Sequence, residues 1–151
     1  MNTLSYVFTG NEFFVGLSKR TDQDGIDCLA RIFTEYRVTP ICINDFSSKT
    51  LHLKSACSVC GPNHILVGGE LGKIIATAIE SSSPGTYKFT HVVDEEAANC
   101  VYTNGTLIRR TREEFPNSAD GLKSIGGKQI EIRASELAKV DAALTCCSVL
   151  F

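Results

Sequence analysis

Tryptophan is absent from the 151-residue chain and methionine occurs once. Neither scarcity decides anything; the lack of a long apolar run does. The longest mostly apolar stretch is Ile74–Ile79, far short of the roughly 18 residues that a membrane helix needs. No membrane partner is expected. The start, Met1-Asn2-Thr3-Leu4, has no basic region leading into an apolar stretch. A secretory signal is therefore not expected, and the reading is cytoplasmic. A basic block is missing as well. Lys and Arg number 15 against 17 Asp and Glu, a formal charge of −2, which argues against a nucleic-acid partner.

What is present suits a globular protein. Apolar residues make up 43% of the chain and charged residues 21%, an ordinary balance. The length fits one domain, 1–151, with a sizeable core. The seven cysteines are Cys28, Cys42, Cys57, Cys60, Cys100, Cys146 and Cys147. Their number is odd, two are adjacent and no secretion signal accompanies them, so a disulfide framework is disfavoured. Reduced thiols are expected, one of them a candidate nucleophile.

Short strands alternate with helices along the chain. Tyr6–Thr9 and Phe13–Leu17 read as strands joined through Gly10-Asn11. Thr21 and Asp24 have capping-box spacing, and Ile26, Leu29, Ala30, Phe33 and Tyr36 follow at helical spacing. Thr39–Ile43 completes the unit as a strand. The cycle then repeats with strands at Leu51–Ser55 and His64–Val67, a helix through Leu71, Ile75 and Ile79, and a strand at Tyr87–Val93. In the third round Asn104-Gly105 links Asn99–Thr103 to Thr106–Arg110, a strong hairpin signal. A second capping box, Thr111 with Glu114, leads through Leu122 to a strand at Gln129–Arg133. Ser135–Asp141 reads as a helical turn and Ala143–Leu150 as a final apolar strand. A strand–strand–helix–strand unit thus recurs at about 40–50 residues, the scale of repeat architectures. The class is α/β and modular.

Several motifs imitate chemistry without carrying it. Gly68-Gly69-Glu70-Leu71-Gly72-Lys73 looks like a phosphate loop, but Ile74 stands where Ser or Thr is needed and Val67 where the first glycine belongs. Asn104-Gly105-Thr106 matches a glycosylation sequon and is better read as a tight turn. Cys147 stands fifth from the end, one position too far for a prenylation tail. His52, Cys57, Cys60 and His64 have ligand types and spacing that zinc accepts, so a small zinc-binding module is one alternative. Its rival reading makes Cys57 and Cys60 small buried hydrophobes.

Leu144–Leu150, with Cys146 and Cys147, is the reactive candidate. If the segment is a strand, the two thiols face opposite sides and only one can meet a substrate. A free thiol is mostly protonated at pH 7, so a nucleophile needs a nearby cation or a proton-accepting histidine. His52, His64 and His91 are the histidines available, and spacing does not choose among them.

Four segments, read together, make a specific pattern. They are Phe8-Thr9-Gly10-Asn11-Glu12-Phe13-Phe14-Val15-Gly16-Leu17-Ser18-Lys19-Arg20-Thr21, Leu51-His52-Leu53-Lys54-Ser55, Ala97-Ala98-Asn99-Cys100, and the run from Lys139 through Val140 and Asp141 to Leu150. In this order they resemble dimethylarginine dimethylaminohydrolase, of the pentein or amidinotransferase group. The resemblance implies a β/α propeller of ββαβ modules, five in the family and about three here. It also implies the hydrolysis of methylated arginines (asymmetric dimethylarginine, monomethylarginine) to citrulline and dimethylamine or methylamine, which indirectly favours nitric oxide synthesis. Cys146 would be the nucleophile and His52 the general acid and base. Arg20 would hold the substrate carboxylate, the Val140 backbone would contact its amino-acid end, and Asp141 would lie beside the site. The other six cysteines would be reduced structural thiols. No cofactor is required, although inhibitory zinc at Cys146 is a further implication.

The same resemblance leaves part of the family pattern unmatched. Family members carry a further N-terminal half with an acidic pair for the guanidinium, and an Asp-Gly-Gly-Asp loop where Met1–Tyr6 stands here. Charge-assisted hydrogen bonds contribute about 1.5–3 kcal/mol each. Lacking two would weaken binding by roughly 10²–10⁴-fold. A second alternative is therefore a catalytically impaired fragment with a binding or regulatory role. An incomplete propeller would also expose strand edges, which self-association or a partner would cover.

Overall fold

The computed structural model describes residues 5–18, 21–43 and 52–149. Three modules follow one another. The first contains β1 (Tyr6–Phe8), β2 (Glu12–Leu17), α1 (Gln23–Ile32) and β3 (Arg37–Cys42). The second contains β4 (Cys57–Gly61), β5 (His64–Gly68), α2 (Gly69–Ser82) and β6 (Lys88–Val92). The third contains β7 (Val101–Thr103), β8 (Thr106–Arg110), α3 (Ala119–Ser124) and β9 (Lys128–Ile132). Each module forms its own three-stranded sheet with the middle strand second in sequence. The first two strands pair antiparallel and the third lies parallel to the middle one. The helix supplies the crossover that a parallel pair requires. A short α4 (Ser135–Ala138) and a 3-10 turn at Leu144–Cys147 end the described chain. No helix among the described residues is long and apolar enough to cross a membrane.

The burial explains why the pattern was legible. Every residue of β5 is buried, as expected for a strand covered on both faces. On α2 the stripe Leu71, Ile75 and Ile79 faces inward, the helical period that the sequence shows. Asn104 and Gly105 both have positive φ, 48° and 71°, which is the backbone that a two-residue hairpin needs. One apolar cluster joins the first module to the second through Phe14, Ile41, Ile65 and Ile75. Another joins the second to the third through Leu66, Cys100, Leu107 and Leu122. At the latter joint Gly68 has an ordinary extended backbone, φ −122°, but a Cβ there would lie 2.6 Å from the carbonyl oxygens of both Asp94 and Glu95. Close approach, not backbone freedom, demands glycine at that position.

Four expectations are corrected. The first strand of the second module is Cys57–Gly61, whereas Leu53–Ser55 is a 3-10 turn; Leu51 lies outside the described residues. The cap of α1 is Asp22, whose carboxylate accepts from Gly25 N at 3.1 Å, one residue beyond Thr21. Thr111 N and the Thr111 hydroxyl both donate to the Glu114 carboxylate, while Glu114 N donates to the Thr111 carbonyl; the helix begins later, at Ala119, because Pro116 starts a separate 3-10 turn. Finally, Leu144–Cys147 is a 3-10 turn and not a strand. Cys146 N donates to Ala143 O at 3.1 Å, and the Ser148 hydroxyl closes onto Leu144 O at 2.6 Å. These local bonds replace the ladder partners that a strand would need.

Candidate active site

Two segments far apart in sequence meet beside the inner strands. The first is the turn that begins at His52. Its backbone is held by Ser55 N donating to His52 O at 3.0 Å. The buried Ser5 hydroxyl accepts from Leu53 N at 2.8 Å, which ties the turn to the start of β1. His52 is half-buried. Lys54 points its Nζ over the Tyr6 ring, 4.8 Å from the centroid, a cation–π contact.

The second segment is the 3-10 turn carrying Cys146. Its anchor is Asn99, which is 3% exposed. The Asn99 amide nitrogen donates to Lys54 O and to the Thr145 hydroxyl, each at 2.8 Å. Its oxygen accepts from Thr145 N at 3.1 Å. Thr145 adjoins Cys146, and Lys54 is two residues from His52. The result puts Cys146 within electrostatic reach of Lys54. Burial holds the Lys54 ammonium below its usual value, and the Cys146 charge opposes that shift.

The turn also changes the relation between the adjacent cysteines. Both Cys146 and Cys147 are exposed, so the opposite-face argument for a strand does not apply. All seven cysteines are free. Cys57, Cys60 and Cys100 are buried, whereas Cys28, Cys42 and Cys147 are exposed, so burial gives a packing role to three of the six thiols read as structural. Burial pushes the thiols of Cys57 and Cys60 up to about 12 and raises that of Cys100 well above the ordinary value. These three are inert.

The zinc-module alternative is not supported. His64 Nε2 is engaged by the Thr90 hydroxyl at 2.8 Å, and Cys60 Sγ donates to the His64 carbonyl at 3.5 Å. Among the described residues no group of three metal-ligating side chains comes together.

Among the other expected site residues, Val140 is 72% exposed and Asp141 has φ 54°. Both lie on the turn after α4, where Asp141 N donates to Ala138 O at 3.2 Å. Arg20 lies outside the described residues. Sequence reasoning missed roles for Lys54 and Asn99, although both stand within the quoted segments. The signal for Lys54 was the requirement for a cation near the thiol. For Asn99 it was a polar residue set between small apolar ones, a buried amide that must find partners.

A cleft of about 740 Å³ opens beside this site. Aromatic side chains, including Tyr6, Phe8, Phe33, Tyr36 and Tyr102, line much of it, with Lys54 and Thr145 on the wall. Neither Cys146 nor His52 is among its lining residues. The cleft is bordered by β1, β4 and β7, and β4 packs against both of the others.

Modules of this topology, set side by side around a common cleft, make a pentein-type propeller, present here in part. Solved pentein structures share the fold: the amidinotransferase SxtG of Microseira wollei has a TM-score of 0.74 at 20% identity, covering 94% of this chain and 44% of that one. Within that class the chain resembles the C-terminal part of dimethylarginine dimethylaminohydrolase. DDAH2 of Homo sapiens is 30% identical over 156 residues, covering 95% of this chain and 53% of the relative. The N(G),N(G)-dimethylarginine dimethylaminohydrolase of Pseudomonas aeruginosa is 24% identical over 147 residues, covering 96% and 54%. The Pseudomonas enzyme, solved as a Cys-to-Ser mutant complexed with citrulline, superposes with a TM-score of 0.73 at 23% identity, over 97% of this chain and 54% of that one. The chain therefore spans about half the length of the curated relatives it matches. No protein-family model matches it.

Proposed function

We propose that the chain is the nucleophile-bearing part of a hydrolase of Nω-methylated arginines. The observation that carries the reading is the meeting of Cys146 with the Lys54 turn that begins at His52. In this reaction the Cys146 thiolate attacks the central guanidinium carbon. The C–N bond to dimethylamine or methylamine breaks, and His52 gives the departing amine its proton. His52 then takes a proton from water, which attacks the same carbon. The C–S bond breaks, citrulline leaves and the thiolate is restored. Arg20 would hold the substrate carboxylate, with Val140 and Asp141 at its amino-acid end. No cofactor enters any step. Removing methylated arginines in the cytoplasm would favour nitric oxide synthesis.

Support comes from the relatives. The Pseudomonas enzyme was captured with citrulline when a cysteine was changed to serine, and a related hydrolase was captured as an adduct with S-methyl-L-thiocitrulline. A second reading, a catalytically impaired fragment with a binding or regulatory role, is favoured by the cleft. Its lining contains one carboxylate, Glu35, where a guanidinium calls for more than one. On that reading a partner or a second copy would cover the open face.

The test is citrulline release from asymmetric dimethylarginine by the purified chain. Cys146→Ser should lower the rate by on the order of 10³-fold or more, as loss of a covalent nucleophile does. Release that survives this substitution refutes the mechanism. Robust release by the 151-residue chain on its own refutes the second reading.

A further inference from the structure

The Asn99 side chain makes three hydrogen bonds and all of them join the two segments that carry His52 and Cys146. Its amide nitrogen donates to the Lys54 carbonyl and the Thr145 hydroxyl, and its oxygen accepts from Thr145 N. The residue stands at the end of the 3-10 turn Glu95–Ala98, just before β7. It therefore belongs to neither segment that it holds. A primary amide suits the position: Lys54 presents an acceptor, Thr145 N a donor, and one planar group must satisfy both. An aspartate would lose the donor, and a leucine would leave both backbone groups unpaired.

We propose that Asn99 is a positioning residue that sets the Cys146 turn against the His52 turn. The inference rests on the hydrolase reading above. Without this bridge, what holds the Leu144–Cys147 turn among the described residues is its own short-range bonds and the packing of Leu144 with Val101 and Ala134. The turn would then be free to shift by about an ångström, a displacement that can cost on the order of 10²-fold in rate. Asn99 touches no reacting atom, so its contribution belongs to kcat and not to substrate affinity.

The seven free cysteines make a test within the molecule. Parent protein, Asn99→Ala and Thr145→Val are treated briefly with iodoacetamide at neutral pH, and each thiol is quantified by peptide mass spectrometry. Cys147 is the exposed reference beside Cys146, and Cys57, Cys60 and Cys100 report whether the core stays closed. In the parent, Cys146 should react about tenfold faster than Cys147. In Asn99→Ala this ratio should fall to within about threefold while the buried thiols stay protected. A generally loosened fold would instead expose the buried thiols. Thr145→Val removes one of the three bonds and should give an intermediate ratio; it decides the matter if Asn99→Ala fails to fold. Where citrulline release is measurable, kcat should drop about 10–100-fold with KM unchanged within about threefold. A parental ratio that survives in both folded variants overturns the role of Asn99 alone. A parental ratio already near one overturns the hydrolase reading together with it.

Discussion

The second and third modules share a topology and are held by different forces. In the second, β5 is wholly buried, with Ile65 and Val67 in one apolar cluster and Leu66 in another. In the third, only Leu107, Arg109 and Arg110 of β8 are buried, and β9 presents Ile130 and Ile132 to solvent. Charged bridges supplement the packing of Leu107 and Leu122 there. Arg109 reaches Glu131 at 2.7 Å and Gln129 at 2.6 Å. Arg110 grips Glu114 through two nitrogens at 2.8 and 3.0 Å and lies over the Phe115 ring. Glu114 also accepts from Ala134 N at 3.1 Å, at the entrance to the segment that ends in Cys146. Apolar burial is thus densest in the second module, and the Cys146 turn is held in part by directional polar contacts.

Three substitutions sharpen this contrast. Leu66→Ala should cost about 3–4 kcal/mol by emptying a fully buried site between the second and third modules. A urea titration should show one transition shifted to lower concentration, and a loss below about 1 kcal/mol would break the comparison. Glu114→Gln should cost about 2 kcal/mol, because the buried Arg110 loses its charged partner. The carboxyl of Glu114 is held down to about 2, chiefly by hydrogen bonding to Arg110. Above the ordinary carboxylate value the pair stabilises the fold in full. As the pH falls below it, the unfolded chain takes up a proton that the folded chain refuses until about 2, so stability declines through that window. Acid titration of the Gln variant should lack this component. Glu136→Ala, which removes an exposed partner of Lys139, should change the urea midpoint by less than about 0.5 kcal/mol equivalent.

Local chemistry was readable where one short-range rule governs. The Asn104-Gly105 turn, the apolar stripe of α2 and the pairing of β1 with β2 all follow from neighbours in sequence. Reading failed where tertiary partners decide. Leu53 is fully buried like a strand residue, yet its N–H is taken by the Ser5 hydroxyl and Asn99 fixes the next carbonyl. Those distant bonds favour a turn over a ladder. The run around Cys146 is apolar enough for a strand, but no neighbouring strand offers it a partner among the described residues. Cys146 and His52 could be proposed as nucleophile and acid/base only through the family resemblance of their segments. Lys54 and Asn99 could not, because their significance lies in a contact across 45 residues of chain.

The crowding at Gly68 has a mechanical meaning. Its missing side chain lets the Asp94–Glu95 backbone press directly onto the end of β5, and that backbone runs within a few residues to Asn99. The best-buried strand of the protein is therefore a fulcrum, and the Glu95–Ala98 turn is a short arm resting on it. Any added methyl at position 68 would have to push that backbone away, and the turn it leads into ends at the amide that bridges Lys54 and Thr145. A position remote from the thiol in sequence and chemistry is in this way geared to it.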